Sequence, residues 1–143
     1  LMNSFEPMVN MYHNAPINQL YKPHLTIKEQ GLATITYSIN PDHFHAAGFL
    51  HGSAVFKLLD DSAFFAVNSI VYDVFVLTTS FTINITKPAS HGLITAKGQT
   101  RFTSTNLMIG ESSLYNEEGE EIAFGTGTFA KSKIALSNTP GYQ

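Results

Sequence analysis

The chain contains no cysteine, which excludes a disulfide scaffold, thiolate metal sites and a cysteine nucleophile, and agrees with a reducing compartment. Charge is sparse as well: 13% of the 143 residues are Asp, Glu, Lys or Arg, about half the usual share. So few charges imply that much of the surface is covered, most simply by further copies of the chain. The 8 Lys and Arg are scattered singly and the net charge is −3, so there is no basic stripe to track a phosphate backbone and no nucleic-acid partner is expected. No apolar run approaches the roughly 18 residues of a membrane span. The longest, in the 63–77 region, is broken by Asn68, Ser69 and Asp73. The opening LMNSFEPMVNMYHNAP lacks a basic stretch followed by an apolar one, so no signal peptide is expected and the cytoplasm is the default location.

What is present points to one globular domain over 1–143, with 43% apolar and 12% aromatic residues. Residues 4–13 read as a short helix with Met8, Val9 and Tyr12 on one side, ended at Asn14-Ala15-Pro16, and NQLYKP after it reads as loop. Alternation then predicts strands over His24–Lys28 and Leu32–Ile39, joined by a turn at Glu29-Gln30-Gly31. A helix over about 50–70 follows, then four strands near 74–86, 93–103, 106–116 and 121–133. Their turns carry the residues turns require, at Lys87 to Gly92 and Asn116 to Gly119. The tail from Ser137 is expected to fray. Two strands, one long helix and four strands suit an α+β fold with an antiparallel sheet of meanders. Gly98, Gly110, Gly125 and Gly127 fall inside strands and share faces with Ala96, Ser112 and Ala123. Such small residues predict a shallow bed, a curved sheet wrapped around the helix, unless they mark bulges at exposed edges.

The helical stretch His45–Ser69, HAAGFLHGSAVFKLLDDSAFFAVNS, is apolar enough to be buried, so its polar residues need a partner or a task. At about 100° per residue, Ser53, Lys57, Asp60, Asp61 and Asn68 share one sector of its surface. That stripe is either a solvated face with Lys57 and Asp61 as an i,i+4 pair, or it faces a cleft with Asp60 as acid, base or nucleophile. His51-Gly52-Ser53 sits where the helix begins, and free backbone N–H groups there can polarise a carbonyl oxygen. Asp60 lies about 13 Å further along the axis and about half a turn around it. One substrate carbonyl cannot touch both, so if they form one site, the second half comes from another subunit.

The run HGS at 51–53, Asp60 nine positions after His51 and Asn68-Ser69 near the helix end resemble the signature of the hotdog-fold acyl-CoA thioesterases, specifically the phenylacetyl-CoA thioesterase branch. The resemblance can be followed from about residue 24 to 133. It implies a hotdog fold, with the sheet around one central helix, and a homodimer or dimer of dimers (homotetramer) that hydrolyses acyl-CoA without metal or cofactor. On this resemblance the Gly52 N–H polarises the thioester carbonyl, Asp60 of the neighbouring subunit is general base or nucleophile, His51 orients the helix entry, and Thr78 assists. By alternation Thr78 shares the polar face of its strand with Ser80, Thr82 and Asn84. Substrate-side candidates are Ser53, Asp61, Phe64 and Arg101.

Two positions depart from the family pattern. Ser53 replaces a second Gly, so its hydroxyl either caps the helix or narrows the entrance. His45 stands where the family has Asn, and could position water as neutral imidazole, act as a base, or mark altered chemistry. His45 also opens rival readings. A His43/His45/His51 metal cluster matches no known spacing. A hotdog dehydratase pairs a loop His with a helix carboxylate at nearly the His45–Asp60 interval. A silent acyl-CoA binder would keep the groove and lose the rate. Phe56, Phe64 and Phe65 are either acyl pocket or core, and Arg101, Lys97, Lys131 and Lys133 are the available cations for the CoA phosphates.

Overall fold

The computed structural model describes residues 4–143; the first three residues of the stretch read for a signal peptide lie outside it. Helix α1 spans Glu6–Asn14 and a single turn α2 spans Asn18–Tyr21. Strands β1 (His24–Glu29) and β2 (Leu32–Ser38) precede the long helix α3 (Gly52–Asn68). Strands β3 (Val74–Ile85), β4 (Leu93–Thr103), β5 (Met108–Tyr115) and β6 (Glu121–Ala135) follow. The six strands form one antiparallel sheet in the order β1-β2-β4-β5-β6-β3, and α3 lies against it, as a hotdog fold requires.

The alternation that predicted the strands is a burial pattern. Ala33, Ile35 and Tyr37 of β2, Ile94 and Ala96 of β4, and Leu114 of β5 point at α3, which replies with Ala54, Leu58, Leu59, Ala63 and Ala66; all are buried. Gly98 is the closest point of approach. A Cβ there would lie 2.1 Å from the Ser62 carbonyl oxygen and 2.6 Å from the Ala63 nitrogen. Ser112 Oγ donates to the Leu59 carbonyl at 2.8 Å, fixing the same side of the helix to the sheet. Gly98→Ala is therefore expected to destabilise the protein by about 3 kcal/mol, the upper end of overpacking, because backbone cannot swing aside as a side chain can. Gly110→Ala, whose nearest contacts would be 3.2 Å, should cost clearly less. Urea midpoints at one fixed protein concentration check the order.

Only part of the glycine bed serves the helix. At Gly125 and Gly127 the atoms that a Cβ would meet belong to the Phe81 ring, at 2.5 and 2.2 Å, along with backbone of β3. Those two glycines seat a cross-strand aromatic from the neighbouring strand. The segment expected to be loop at NQLYKP closes into α2, ended by Lys22 in the left-handed region (φ 53°). The tail expected to fray instead packs back on α1: Asn10 Nδ2 donates to the Gln143 carbonyl at 2.5 Å, and Tyr142 packs against the core. No helix among the described residues is long and apolar enough to cross a membrane.

Candidate active site

The polar stripe of α3 is neither a solvated face nor one continuous site. Asn68 is fully buried and stitches the turn after the helix, its Nδ2 donating to the carbonyls of Val71 (2.5 Å) and Val74 (2.9 Å) while its Oδ1 accepts from the Val76 N–H. Lys57 and Asp61 form the expected i,i+4 pair at 2.7 Å. That pair is covered by the N-terminal helices. Tyr12 Oη donates to the same Asp61 Oδ2 at 2.7 Å, and Lys57 Nζ lies 5.4 Å from the ring centres of Tyr12 and Tyr21. Burial and the Asp61 carboxylate push the Tyr12 phenol far up, so it stays protonated and remains a donor.

Asp60 is left facing a cleft of about 210 Å3, lined by Tyr12 and Asn18 from the N-terminal helices, by Asp61 and Phe64 of α3, and by Phe75 and Thr78 of β3. Thr78 Oγ1 donates to Asp60 Oδ1 at 2.9 Å. This contact corrects the face assigned to Thr78 by alternation. Thr78 pairs with Phe129 and Ser80 with Thr128, so Thr79 is an extra residue and the strand carries a β-bulge. Thr78 therefore points inward with Val76, whereas Ser80, Thr82 and Asn84 point outward. The exposed hydroxyls of Thr79 and Ser80 bond Thr128 Oγ1 instead, at 2.7 and 2.8 Å.

Burial in this apolar cleft is the main reason the Asp60 carboxyl is pushed up to about 6. The Asp61 charge adds to the rise, and the Thr78 hydroxyl and Lys57 work against it. A carboxylate so placed accepts a proton near neutral pH far more readily than an exposed one.

The N-terminal end of α3 forms a separate pocket of about 280 Å3, where Gly52 is joined by His45, Phe49, Ile85, Lys87 and Pro88. His51 is the N-cap. Its Nδ1 accepts from the Ser53 N–H at 3.0 Å and lies 2.8 Å from Ser53 Oγ, so the imidazole caps the helix and the Ser53 hydroxyl supports the imidazole. Between these two, the Gly52 N–H has no acceptor among the described residues and opens at the positive end of the helix. His45 Nδ1 accepts from the Ala47 N–H at 3.1 Å, which sets its tautomer toward Nε2–H.

A family model described as the thioesterase superfamily matches residues 47–123, more than half of the chain. The chain belongs to the thioesterase superfamily. Among solved structures it is similar to the PaaI protein from the phenylacetic acid degradation operon of E. coli, with a TM-score of 0.83 and 19% identity over 92% of this chain and 94% of that one. It is also similar to a thioesterase from Haemophilus influenzae (TM-score 0.81, 15% identity, 95% and 94% covered). A conserved protein of Pseudomonas aeruginosa is comparable (TM-score 0.80, 20% identity, 91% and 100% covered). At these identities the likeness is one of fold. No curated protein matches the chain in sequence.

In this thioesterase-superfamily chain the expected residues thus fall into two groups. Asp60, Asp61, Phe64 and Thr78 line one cleft; Gly52 and His45 line the other, beside the His51–Ser53 cap. Arg101 joins neither group. It is the extra residue of a bulge between Thr100 and Phe102 on β4 and is exposed. Phe56 also stays out of the Asp60 cleft, packing edge-on to Phe81 at 5.7 Å. His43 is taken up by Tyr37 Oη at 2.5 Å and packs at a tilt on the Tyr21 ring, 4.4 Å between centres. The one three-ligand cluster among the described residues is the exposed His91, Glu117 and Glu118, not the three loop histidines. Sequence reading missed the N-terminal wall of the cleft and Phe75. The amphipathic pattern of residues 4–13 showed that Tyr12 is covered, but not that it covers Asp61.

Proposed function

We propose that the protein hydrolyses an acyl-CoA thioester to the free acid and CoA, at sites shared between two subunits. The observation that carries this reading is Asp60: a carboxylate raised toward neutral pH, held by Thr78, at the wall of an apolar cleft in a thioesterase-superfamily fold. Asp60 takes a proton from water as that water's oxygen attacks the thioester carbon. The resulting oxyanion is met by the Gly52 N–H of the other subunit, at the positive end of its helix. Collapse breaks the C–S bond, and the CoA thiolate receives the proton from Asp60. Thr78 holds Oδ1 and leaves Oδ2 for the water. His51 holds the helix entry, and His45 flanks the oxyanion donor from the same pocket. Neither a metal nor a further cofactor takes part.

The fold supports a composite site. β3 pairs only with β6, so one edge of this 12-residue strand is open. It carries no charge and no proline, the usual guards of an exposed edge. Thr78 sits beside Asp60, and Ile85 shares the pocket of Gly52. Two copies pairing antiparallel about Phe81 and Thr82 of β3 would set Thr78 against Ile85 of the partner subunit, and so bring Asp60 of one copy to the Gly52 end of the other. Both half-sites lie on this one edge.

The reading is tested on an acyl-CoA panel of short, medium, long and aromatic acyl groups. Absence of turnover on all of them would sink it. Enoyl-CoA hydration would then favour a dehydratase, and tight binding without turnover a silent binder. Because Asp60 works as the carboxylate, kcat/KM should rise with pH through about 6 and level off above it. A profile flat from pH 5 to 8 would remove Asp60 from the role of base.

A further inference from the structure

The N-terminal wall of the Asp60 cleft holds a polar atom that the reaction above does not use. Asn18 is 3% exposed and lines the cleft. Its Nδ2 donates to the Tyr12 carbonyl at 2.7 Å, which fixes the amide's orientation, since only the NH2 end can face a carbonyl. Oδ1 is thereby directed elsewhere, and it is buried with no hydrogen-bond partner among the described residues. A buried acceptor without a donor is uncommon and calls for one. The hydroxyl donors of the cleft spend their single O–H elsewhere, Tyr12 Oη on Asp61 Oδ2 at 2.7 Å and Thr78 Oγ1 on Asp60 Oδ1 at 2.9 Å, and Lys57 Nζ is directed to Asp61 Oδ2 at 2.7 Å. Apart from the carboxylates of Asp60 and Asp61, which are acceptors, the rest of the lining, Met11, Ala15, Ile17, Phe64, Phe65 and Phe75, is apolar. Oδ1 has essentially no exposed surface in this conformation, so a group reaches it only where the cleft wall yields, and Ile17 of that wall is 48% exposed.

We propose that Asn18 is a specificity-determining residue, whose Oδ1 accepts a hydrogen bond from a hydroxyl or amide N–H on the acyl group held in the Asp60 cleft. The inference rests on the thioesterase reading and adds the class of substrate: acyl groups that carry a donor beyond the thioester. Asn18 and the rest of this wall lie outside the region 47–123 that the family model matches, so this preference belongs to the N-terminal helices rather than to the shared core. The cleft, at about 210 Å3, has room for roughly seven water-sized groups at about 30 Å3 each, enough for a short chain ending in such a donor.

The test uses pairs of aliphatic acyl-CoAs of four, six and eight carbons, each with and without a terminal hydroxyl. At one chain length the hydroxylated thioester should show kcat/KM higher by about 10-fold or more, because the plain chain leaves the acceptor unpaired. In Asn18→Leu that ratio should fall to about 1. Circular dichroism and sedimentation of the variant establish that fold and assembly are kept. Hydrolysis of the plain chains with no preference at any length would overturn this inference and leave the thioesterase reading standing, as would a preference that survives in Asn18→Leu. Loss of assembly in Asn18→Leu would assign the acceptor to a subunit contact and overturn it too. Were no thioester cleaved, the thioesterase reading would fall, and calorimetric binding of the same pairs to both proteins would still decide the role of Asn18.

Discussion

Asp60→Asn should lower kcat by about 10²–10⁴-fold, the range for removing a positioned general base. Asn has the shape of Asp and can still accept the Thr78 hydroxyl, which now bonds Asp60 Oδ1 at 2.9 Å. What it cannot do is take a proton from water. The substitution also carries its own control for unfolding. The folded protein holds the Asp60 carboxyl at about 6, above its ordinary value of 3.8, chiefly because burial penalises the charge. A group raised in this way favours the fold most below the unfolded value and loses that contribution as pH rises through about 6. At pH 8 the buried charge therefore works against the fold, and Asn removes it. Asp60→Asn should melt no lower than the wild type at pH 8, and its advantage should shrink on going to pH 5. A dead enzyme with an undiminished melting temperature is the expected pair of results. Near-normal turnover would remove Asp60 from the mechanism.

Gly52→Pro is expected to cost about 10²–10³-fold in kcat, the effect of losing one oxyanion donor. Gly52 is the first residue of α3, a position where proline is tolerated because its N–H makes no helical bond. The preceding His51 already has the extended backbone that proline demands of its neighbour (φ −62°, ψ 143°). A Cβ at Gly52 would come no closer than 3.7 Å to Ile85. The substitution thus removes the donor while the helix survives, and far-ultraviolet circular dichroism verifies the second half of that statement. The same variant tests the shared site. Mixing dissociated Asp60→Asn and Gly52→Pro chains at equal amounts makes half of the dimers mixed, each with one intact composite site, so activity should return to about a quarter of the wild type. Two sites each complete within one chain would give no recovery, and the dimer argument would fail.

The two variants probe the start and the middle of one helix, and that separation was legible before any fold was known. Helix geometry alone places Asp60 about 13 Å along the axis and about half a turn around from His51 at the helix start. The structure agrees, lining one cleft with Asp60 and another with Gly52. The pairing of Asp60 with Thr78 was legible only as a residue, not as a direction. Period-2 counting puts Thr78 outward, and the bulge at Thr79 turns it in. Nothing local announces that bulge: the neighbours are Thr78, Thr79 and Ser80, with no glycine or proline, and it exists because β3 pairs with β6 one residue out of step. Asn68 misled in the same way. Its angular position suits the polar stripe, yet its three hydrogen bonds go to the chain that follows the helix.

Thus the order of elements, the turn positions, the buried character of α3 and the separation of Asp60 from the helix start follow from the sequence by itself, because each rests on local periodicity and on a rise per residue that does not depend on context. The inward turn of Thr78, the covering of Lys57 and Asp61 by Tyr12, and the seating of Phe81 on Gly125 and Gly127 were decided only in the tertiary structure. Each is a contact between segments far apart in the chain, set by strand register and by how α1 docks across α3, and no local pattern encodes either.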